Sequence, residues 1–145
     1  METNNKFNIM KYLAIILEVF IGVTAVLGGF GLVTDPSGAK AGLSLEWLDT
    51  SPFTDYLVPG LFLVVVIGVG NLVIAALTFM RVRYAGLLNI IGGLILMIYI
   101  GVEVLFVGLQ NIMQPLYFGL GITVVLLGVM LYKATHHMLH PTFSV

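Results

Sequence analysis

Four polar side chains interrupt the long apolar stretches of this sequence, and they are the first candidates for chemistry. They are the carboxyl groups of Glu18 and Glu103 and the amides of Asn71 and Asn89. A carboxyl group at membrane depth is costly and normally faces protein or water, so each one is a candidate for ligand binding or proton handling. It can also act as a general acid or base when a second polar group lies within hydrogen-bond reach.

Helices must position these side chains, because the apolar stretches around them are long enough to cross a membrane. Of the 145 residues, 9% are charged, far below the ~25% of a soluble domain. The apolar segments cover residues 10–33, 57–80, 85–108 and 112–134. As helices they would each span ~35 Å, more than the ~30 Å of bilayer hydrocarbon. The sequence therefore predicts one all-α domain over residues 1–145, an integral membrane four-helix bundle.

The distribution of basic residues predicts which helix ends face the cytoplasm. Five of the six lie on one side of the predicted membrane: Lys6, Lys11, Arg81, Arg83 and Lys133. Lys40 lies on the other side, in an outer loop over residues 34–56. Because Lys and Arg accumulate in cytoplasmic loops, both termini are predicted to be cytoplasmic in a multi-pass plasma-membrane protein. Arg81 and Arg83 are also candidates for binding lipid headgroups.

Small residues share helix faces with the polar groups and predict a tightly packed interior. These faces comprise Ala14, Glu18, Gly22, Ala25 and Gly29 in the first helix, Gly68, Asn71, Ala75 and Thr78 in the second, and Gly86, Asn89, Gly93, Met97 and Gly101 in the third. Counted from the helix ends, Glu18, Asn71 and Asn89 are predicted to meet in the cytoplasmic half. Glu103 is predicted to lie near the outer turn at Gln110.

Three interpretations of Glu18 remain open at this point. It is a protonated carboxyl that bonds to Asn71 or Asn89 as a packing device, a ligand-binding or proton-handling group, or an exposed side chain that extends towards the membrane surface. The outer loop has two interpretations. Residues 43–48 predict a short surface helix with Trp47 at headgroup depth, which either anchors the loop or forms a lid over a pocket.

Other kinds of site have weak or no support. His136 and His140 are four residues apart and would share a helix face, but a third metal ligand is missing nearby, and a polar helix end explains them better than a metal site. The absence of cysteine excludes disulfides and thiol chemistry from this chain. No phosphate-binding loop pattern or basic run points to a nucleotide or nucleic acid partner. No cofactor is indicated.

The central half of the chain carries a family resemblance. Four features carry it: a Gly-rich second helix, a short basic turn, a third helix that begins with Gly86 and Asn89, and the segment that precedes the second helix and enters it, Ser51-Pro52-Phe53-Thr54-Asp55-Tyr56-Leu57-Val58-Pro59-Gly60. They resemble the small four-helix bacterial membrane proteins of the DoxX-like group. The resemblance implies a four-helix bundle and, for some relatives, an accessory role beside quinone-linked or redox enzymes. The resemblance does not identify any catalytic residue in this sequence.

The sequence favours a non-catalytic protein that acts by association, as a homo-oligomer or as an accessory subunit of a membrane complex. The alternative is a binding protein or small carrier for a lipophilic molecule such as a quinone or lipid. Its pocket would be framed by Glu18, Asn71, Asn89 and Glu103 and closed by Trp47. An enzyme that uses a buried carboxyl as acid or base is a third hypothesis, and ion or proton transport is a fourth.

Overall fold

Within residues 2–139, which the computed structural model describes, the chain forms four long helices joined by two short turns and one long loop. The helices are α1 (Glu2–Thr34), α2 (Leu57–Phe79), α3 (Ala85–Val107) and α4 (Met113–Leu139). Each is long and apolar enough to cross a membrane. The predicted all-α fold with four helices able to span a membrane is thus confirmed for the described residues.

Two helices extend further than their apolar segments indicated. α1 begins at Glu2 rather than near residue 10, and α4 continues to Leu139 rather than ending near residue 134. The added turn of α1 is polar, with an ion pair of 3.2 Å between Lys6 Nζ and Glu2 Oε1. A hydrophobic run cannot reveal such a turn, since its stability comes from helix hydrogen bonds and paired side chains rather than from apolar burial.

The bundle has two distinguishable ends. The basic end comprises the start of α1, the turn between α2 and α3, and the last turns of α4, and it includes Lys6, Lys11, Arg81 and Arg83. The loop end comprises the long loop between α1 and α2 and the short turn between α3 and α4.

Glycines bring the helices together in two close pairs. α1 packs along α2, where a Cβ added at Gly29 would lie 2.7 Å from the carbonyl oxygen of Gly60. α3 packs along α4, where a Cβ added at Gly93 would lie 2.7 Å from the carbonyl oxygen of Gly121. No side chain fits at either position, so the backbones themselves are in contact.

α2 contains a wide π-helical turn over Leu63–Val69. The Asn71 amide donates a hydrogen bond of 2.6 Å to the carbonyl oxygen of Ile67, within this turn. Such turns displace the residues around them and are frequent at functional sites. Here the turn directs Leu63 and Ile67 towards the interior of the bundle.

The long loop folds back onto the loop end of the bundle. Its predicted short helix is present as a 3₁₀ turn over Leu45–Leu48. Leu48 and Tyr56 are buried against Leu32 at the end of α1. The Thr50 hydroxyl donates a hydrogen bond of 3.1 Å to the carbonyl oxygen of Phe106 on α3. The loop is therefore a packed cap on the bundle.

Candidate functional site

The four predicted polar residues do not form one site. Glu18, Asn71 and Asn89 are buried in the half of the bundle nearer the basic end. Glu103 is half-buried near the loop end, four residues before the end of α3. The predicted pocket framed by all four residues is therefore divided into an inner polar cluster and an outer cavity.

The inner polar cluster brings together three helices. Glu18 comes from α1 and Asn71 from α2, and both approach Gly92 of α3. A Cβ added at Gly92 would lie 3.3 Å from Asn71 Oδ1 and 3.6 Å from Glu18 Oε1. The absence of a side chain at residue 92 thus leaves the space that the two polar groups fill.

This cluster contains more acceptors than donors. Among residues 2–139, the two carboxyl oxygens of Glu18, Asn71 Oδ1 and Asn89 Oδ1 are buried with no hydrogen-bond partner. The predicted bond from Asn71 or Asn89 to Glu18 is not formed. Asn89 donates both of its amide N–H groups elsewhere, and Asn71 donates one of its two to Ile67. Unsatisfied buried acceptors are costly, so the cluster is a place where a proton or another hydrogen-bond donor would be held strongly.

Asn89 instead links α3 to α2. Its amide donates hydrogen bonds of 2.8 Å to the hydroxyl oxygen of Thr78 and 2.8 Å to the carbonyl oxygen of Ala85. The Thr78 hydroxyl donates in turn to the carbonyl oxygen of Ile74, at 2.7 Å. This chain of bonds closes the interior near the basic end.

Glu103 is held by a residue that sequence reasoning missed. The amide of Gln114, which is 3% exposed, donates hydrogen bonds of 3.2 Å to Glu103 Oε1 and 3.1 Å to the carbonyl oxygen of Gly108. Gln114 Oε1 accepts a hydrogen bond of 2.8 Å from the backbone N–H of Gln110. The prediction that Glu103 meets groups of the outer turn is confirmed.

A common spacing could have revealed both polar pairs. Glu103 and Gln114, like Thr78 and Asn89, are 11 residues apart and lie on either side of a short turn. In an antiparallel helix pair, residues at equal distances from the turn lie at the same level. Polar residues placed symmetrically about a predicted turn are therefore expected to meet.

A cavity of about 400 Å³ lies beside Glu103 at the loop end. It is bounded by α2 and α3, by the end of α1 and by the long loop. Its lining is mainly apolar and aromatic: Leu32, Leu43, Leu48, Ser51, Phe53, Tyr56, Val58, Pro59, Phe62, Ile95, Ile98, Tyr99, Val102, Glu103, Phe106 and Val107. Among these, Glu103 carries the one ionisable carboxyl group.

A second cavity, of about 230 Å³, lies on the interior side of the first. The two cavities share Leu32, Tyr99 and Glu103 in their linings. The second also reaches Gln114 and Tyr117 of α4, where the Tyr117 hydroxyl donates a hydrogen bond of 2.6 Å to Thr24 Oγ1 of α1. Small movements of Tyr99 or Glu103 would therefore change how the two spaces connect.

The long loop closes the first cavity from the loop end. The Tyr56 hydroxyl donates a hydrogen bond of 2.7 Å to the carbonyl oxygen of Ser44, and this bond holds the two parts of the loop together. Burial raises the pKa of Tyr56, and the charge of the nearby Glu103 raises it further. Leu48, rather than the predicted Trp47, lines the cavity, while Trp47 is half-buried at the preceding position.

The remaining predicted site residues lie at the basic end. Arg81 and Arg83 are exposed in the turn between α2 and α3. The ring of His136 lies 4.5 Å from that of Tyr132, measured between centroids. His140 falls outside the described residues, so the predicted histidine pair stays a prediction. Among residues 2–139 no cluster of three or more His, Cys, Asp or Glu could hold a metal ion.

Most of the predicted small-residue faces pack inside the chain itself. Ala14, Gly22, Ala25 and Gly29 are buried, and so are Gly68 and Ala75 of α2 and Gly86 and Gly93 of α3. Gly101 was predicted to share the interior side of α3, but a Cβ added there would meet no atom within 4 Å. The faces that suggested association are thus used to build the monomer, and association itself stays a prediction.

No known protein family, characterised protein or solved structure shows significant similarity to this chain. The resemblance to the DoxX-like group therefore stays a prediction.

Proposed function

We propose that this protein binds a lipophilic small molecule within the membrane, in the cavity beside Glu103. The observation that carries the proposal is the composition of that cavity, which joins a broad apolar lining to a single anchored carboxyl group. Small-molecule sites typically have 300–1,000 Å³ of mostly apolar space and a few fixed polar groups that orient the ligand. The volume of about 400 Å³ falls within this range.

The openings of the cavity favour a ligand that arrives from the lipid. Val58, Phe62, Ile98 and Val102 line the cavity and are also exposed on the outside of the bundle, between α2 and α3. An apolar molecule dissolved in the bilayer can enter there without crossing water. The loop covers the other side, so the site excludes water better than it excludes lipid.

The polar groups indicate the chemical class of the ligand. Gln114 fixes one oxygen of Glu103, and a carboxylate oxygen accepts hydrogen bonds from hydroxyl or N–H donors. The Phe62 and Tyr99 rings are stacked with an interplanar angle of 3°, which provides a flat wall for a ring. A ring-bearing alcohol or phenol, such as a quinol or a sterol-like compound, fits this combination.

The distribution of charge supports an orientation. Lys6, Lys11, Arg81 and Arg83 all belong to the basic end, and the loop end contains Lys40 among acidic residues. By the positive-inside rule the basic end, with both termini, faces the cytoplasm of a plasma membrane. The cavity would then open to the outer leaflet.

Native mass spectrometry on protein extracted gently from its own membranes tests the proposal. We expect a reproducible small-molecule adduct on the parent protein. Ile98→Trp should abolish it, because the indole would fill the opening of the cavity. Ile91→Trp is the matched control, since it lies seven residues earlier on the same exposed face of α3 and does not line the cavity. Glu103→Leu should weaken the adduct by removing its polar anchor.

Two results would contradict the proposal. One is an adduct that survives Ile98→Trp, which would place the ligand elsewhere. The other is a protein that carries no adduct but has the mass of an oligomer or of a complex with another protein. That second result would favour association, including the accessory role beside quinone-linked enzymes that the family resemblance implies.

A further inference from the structure

A third cavity lies at the basic end, far from the site beside Glu103. Its volume is about 230 Å³, and it is surrounded by α1, the turn between α2 and α3, and α4. Its lining comprises Phe7, Lys11, Thr78, Arg81, Val82, Ala85, Gly86, Leu131, Thr135, Met138 and Leu139. These described residues include two cationic side chains and no carboxylate.

Lys11 is the unusual member of this lining. Its side chain is 4% exposed, although a lysine ammonium is rarely buried without a partner. Its Nζ atom lies 4.9 Å from the ring centroid of Tyr12 and 5.4 Å from that of Phe79. Within residues 2–139, the ion pair that forms is between Lys6 and Glu2, so no carboxylate neutralises Lys11. A positive charge in a mainly apolar lining, with no carboxylate beside it, favours the binding of an anion.

Arg81 supplies a second positive charge to the lining of this cavity. Its φ angle of 57° is in the left-handed region, which glycine usually occupies where a helix ends. Its Nη2 atom donates a hydrogen bond of 3.1 Å to Asn8 Oδ1, which ties the guanidinium to α1. A guanidinium has five N–H donors in a fixed plane, and this geometry suits paired hydrogen bonds to phosphate.

We propose that Lys11 and Arg81 bind a phosphate group in this cavity. The phosphate oxygens would accept hydrogen bonds from both cations and neutralise the Lys11 ammonium. Thr78 and Thr135 donate their hydroxyl protons to backbone carbonyls of their own helices, so the two cations provide the binding. Arg83, predicted with Arg81 as a headgroup ligand, does not line the cavity and has no part in the proposal.

The phosphate can belong to a lipid headgroup or to a soluble phosphate compound. To distinguish these sources, delipidated protein in detergent is mixed with phosphatidylglycerol or with diacylglycerol of the same acyl chains. Occupancy is read by native mass spectrometry, and inorganic phosphate is then added as a competitor. Retention of phosphatidylglycerol against phosphate indicates a headgroup site, whereas displacement by phosphate indicates a site for soluble phosphate. Both results require that diacylglycerol does not bind.

Three variants make the test specific to the cavity. Lys11→Met and Arg81→Gly should each weaken binding by about tenfold or more, because each removes a charge-assisted hydrogen bond. Arg81→Gly also suits the left-handed backbone, and an unchanged thermal unfolding curve of this variant shows that its fold is kept without the hydrogen bond to Asn8. Arg83→Gln is the matched control for general attraction of anions to the basic end, and it should leave binding within about twofold.

Binding that persists unchanged in Lys11→Met and Arg81→Gly would overturn the proposal. So would the absence of phosphatidylglycerol and phosphate binding in the parent protein. An effect of Arg83→Gln as large as that of Arg81→Gly would also overturn it, because the attraction would then belong to the surface charge and not to the cavity.

Discussion

Replacing Glu18 with glutamine is expected to stabilise the protein, because an amide always carries N–H donors, whereas a carboxylate has none and must take up a proton before it can donate. Within residues 2–139, both Glu18 oxygens and Asn71 Oδ1 are buried without a hydrogen-bond partner. Glutamine has almost the same shape as glutamate, so the helices around residue 18 need not move. Its N–H group can point at Asn71 Oδ1, since both residues approach Gly92.

The size of the gain follows from the number of acceptors that become satisfied. A buried polar atom without a partner costs about 1–3 kcal/mol. Glutamine removes one unpartnered oxygen and adds two N–H groups, of which one satisfies Asn71 Oδ1 and the other stays without a partner. The net change is one satisfied acceptor, so we expect a gain of about 1–3 kcal/mol in the free energy of unfolding. For a chain of this length that corresponds to an increase of about 2–12 °C in Tm.

Thermal unfolding in detergent micelles, followed by circular dichroism of the helices, measures this effect. Glu103→Gln is the matched control, because the Glu103 carboxyl already accepts a hydrogen bond from Gln114 and should gain nothing from the change. Glu18→Ala also removes the two unpartnered oxygens but leaves a cavity at a fully buried position, so it should be less stable than Glu18→Gln.

A loss of stability in Glu18→Gln would refute this reasoning. It would mean that the carboxylate has a partner that an amide cannot serve, such as a bound cation or a protonated ligand. The inner polar cluster would then be a functional site and not a packing element.

Three further results are expected from the packing of the helices and the loop. Gly93→Ala should destabilise the protein by about 1–3 kcal/mol in the same unfolding assay, because its Cβ would lie 2.7 Å from a backbone oxygen of α4. Gly101→Ala has open space around its Cβ and should stabilise α3 by up to about 1 kcal/mol. Hydrogen bonds from a loop hydroxyl and a loop amide hold the pKa of Asp35 below its usual value. Its stabilisation of the loop should therefore be complete above about pH 4 and should disappear as pH falls further. The protection of the amides of residues 35–40, measured as their exchange rate relative to an unstructured peptide at the same pH, should fall in acid, and it should be low in Asp35→Asn at every pH. Tyr117→Phe should cost about 0.5–1.5 kcal/mol by removing the hydrogen bond of 2.6 Å to Thr24, and a neutral effect in unfolding experiments would show that this link between α1 and α4 is not maintained.

The number of helices, their approximate bounds and most of their buried faces could be predicted from the sequence. Long apolar runs determine where helices cross a membrane, since unpaired backbone groups are too costly in lipid. Small residues at spacings of three and four identified the face of α1 that holds Ala14, Glu18 and Gly29, all of which are buried. These features depend on local spacing, and one helix at a time is enough to recognise them.

The partners of the polar groups and the three cavities were decided by the tertiary structure. The sequence indicated that Glu18, Asn71 and Asn89 share a depth, but the order of the helices around the bundle and the π-helical turn of α2 determine that Asn71 donates to Ile67 and leaves Glu18 without a donor. The burial of Lys11 could not be predicted either, because a lysine near a helix end can extend into water or fold inward with equal ease. The hydrogen-bond partners and the direction of a lysine side chain depend on contacts with residues that are distant in the chain. The spacing of residues within one helix contains no information about those contacts.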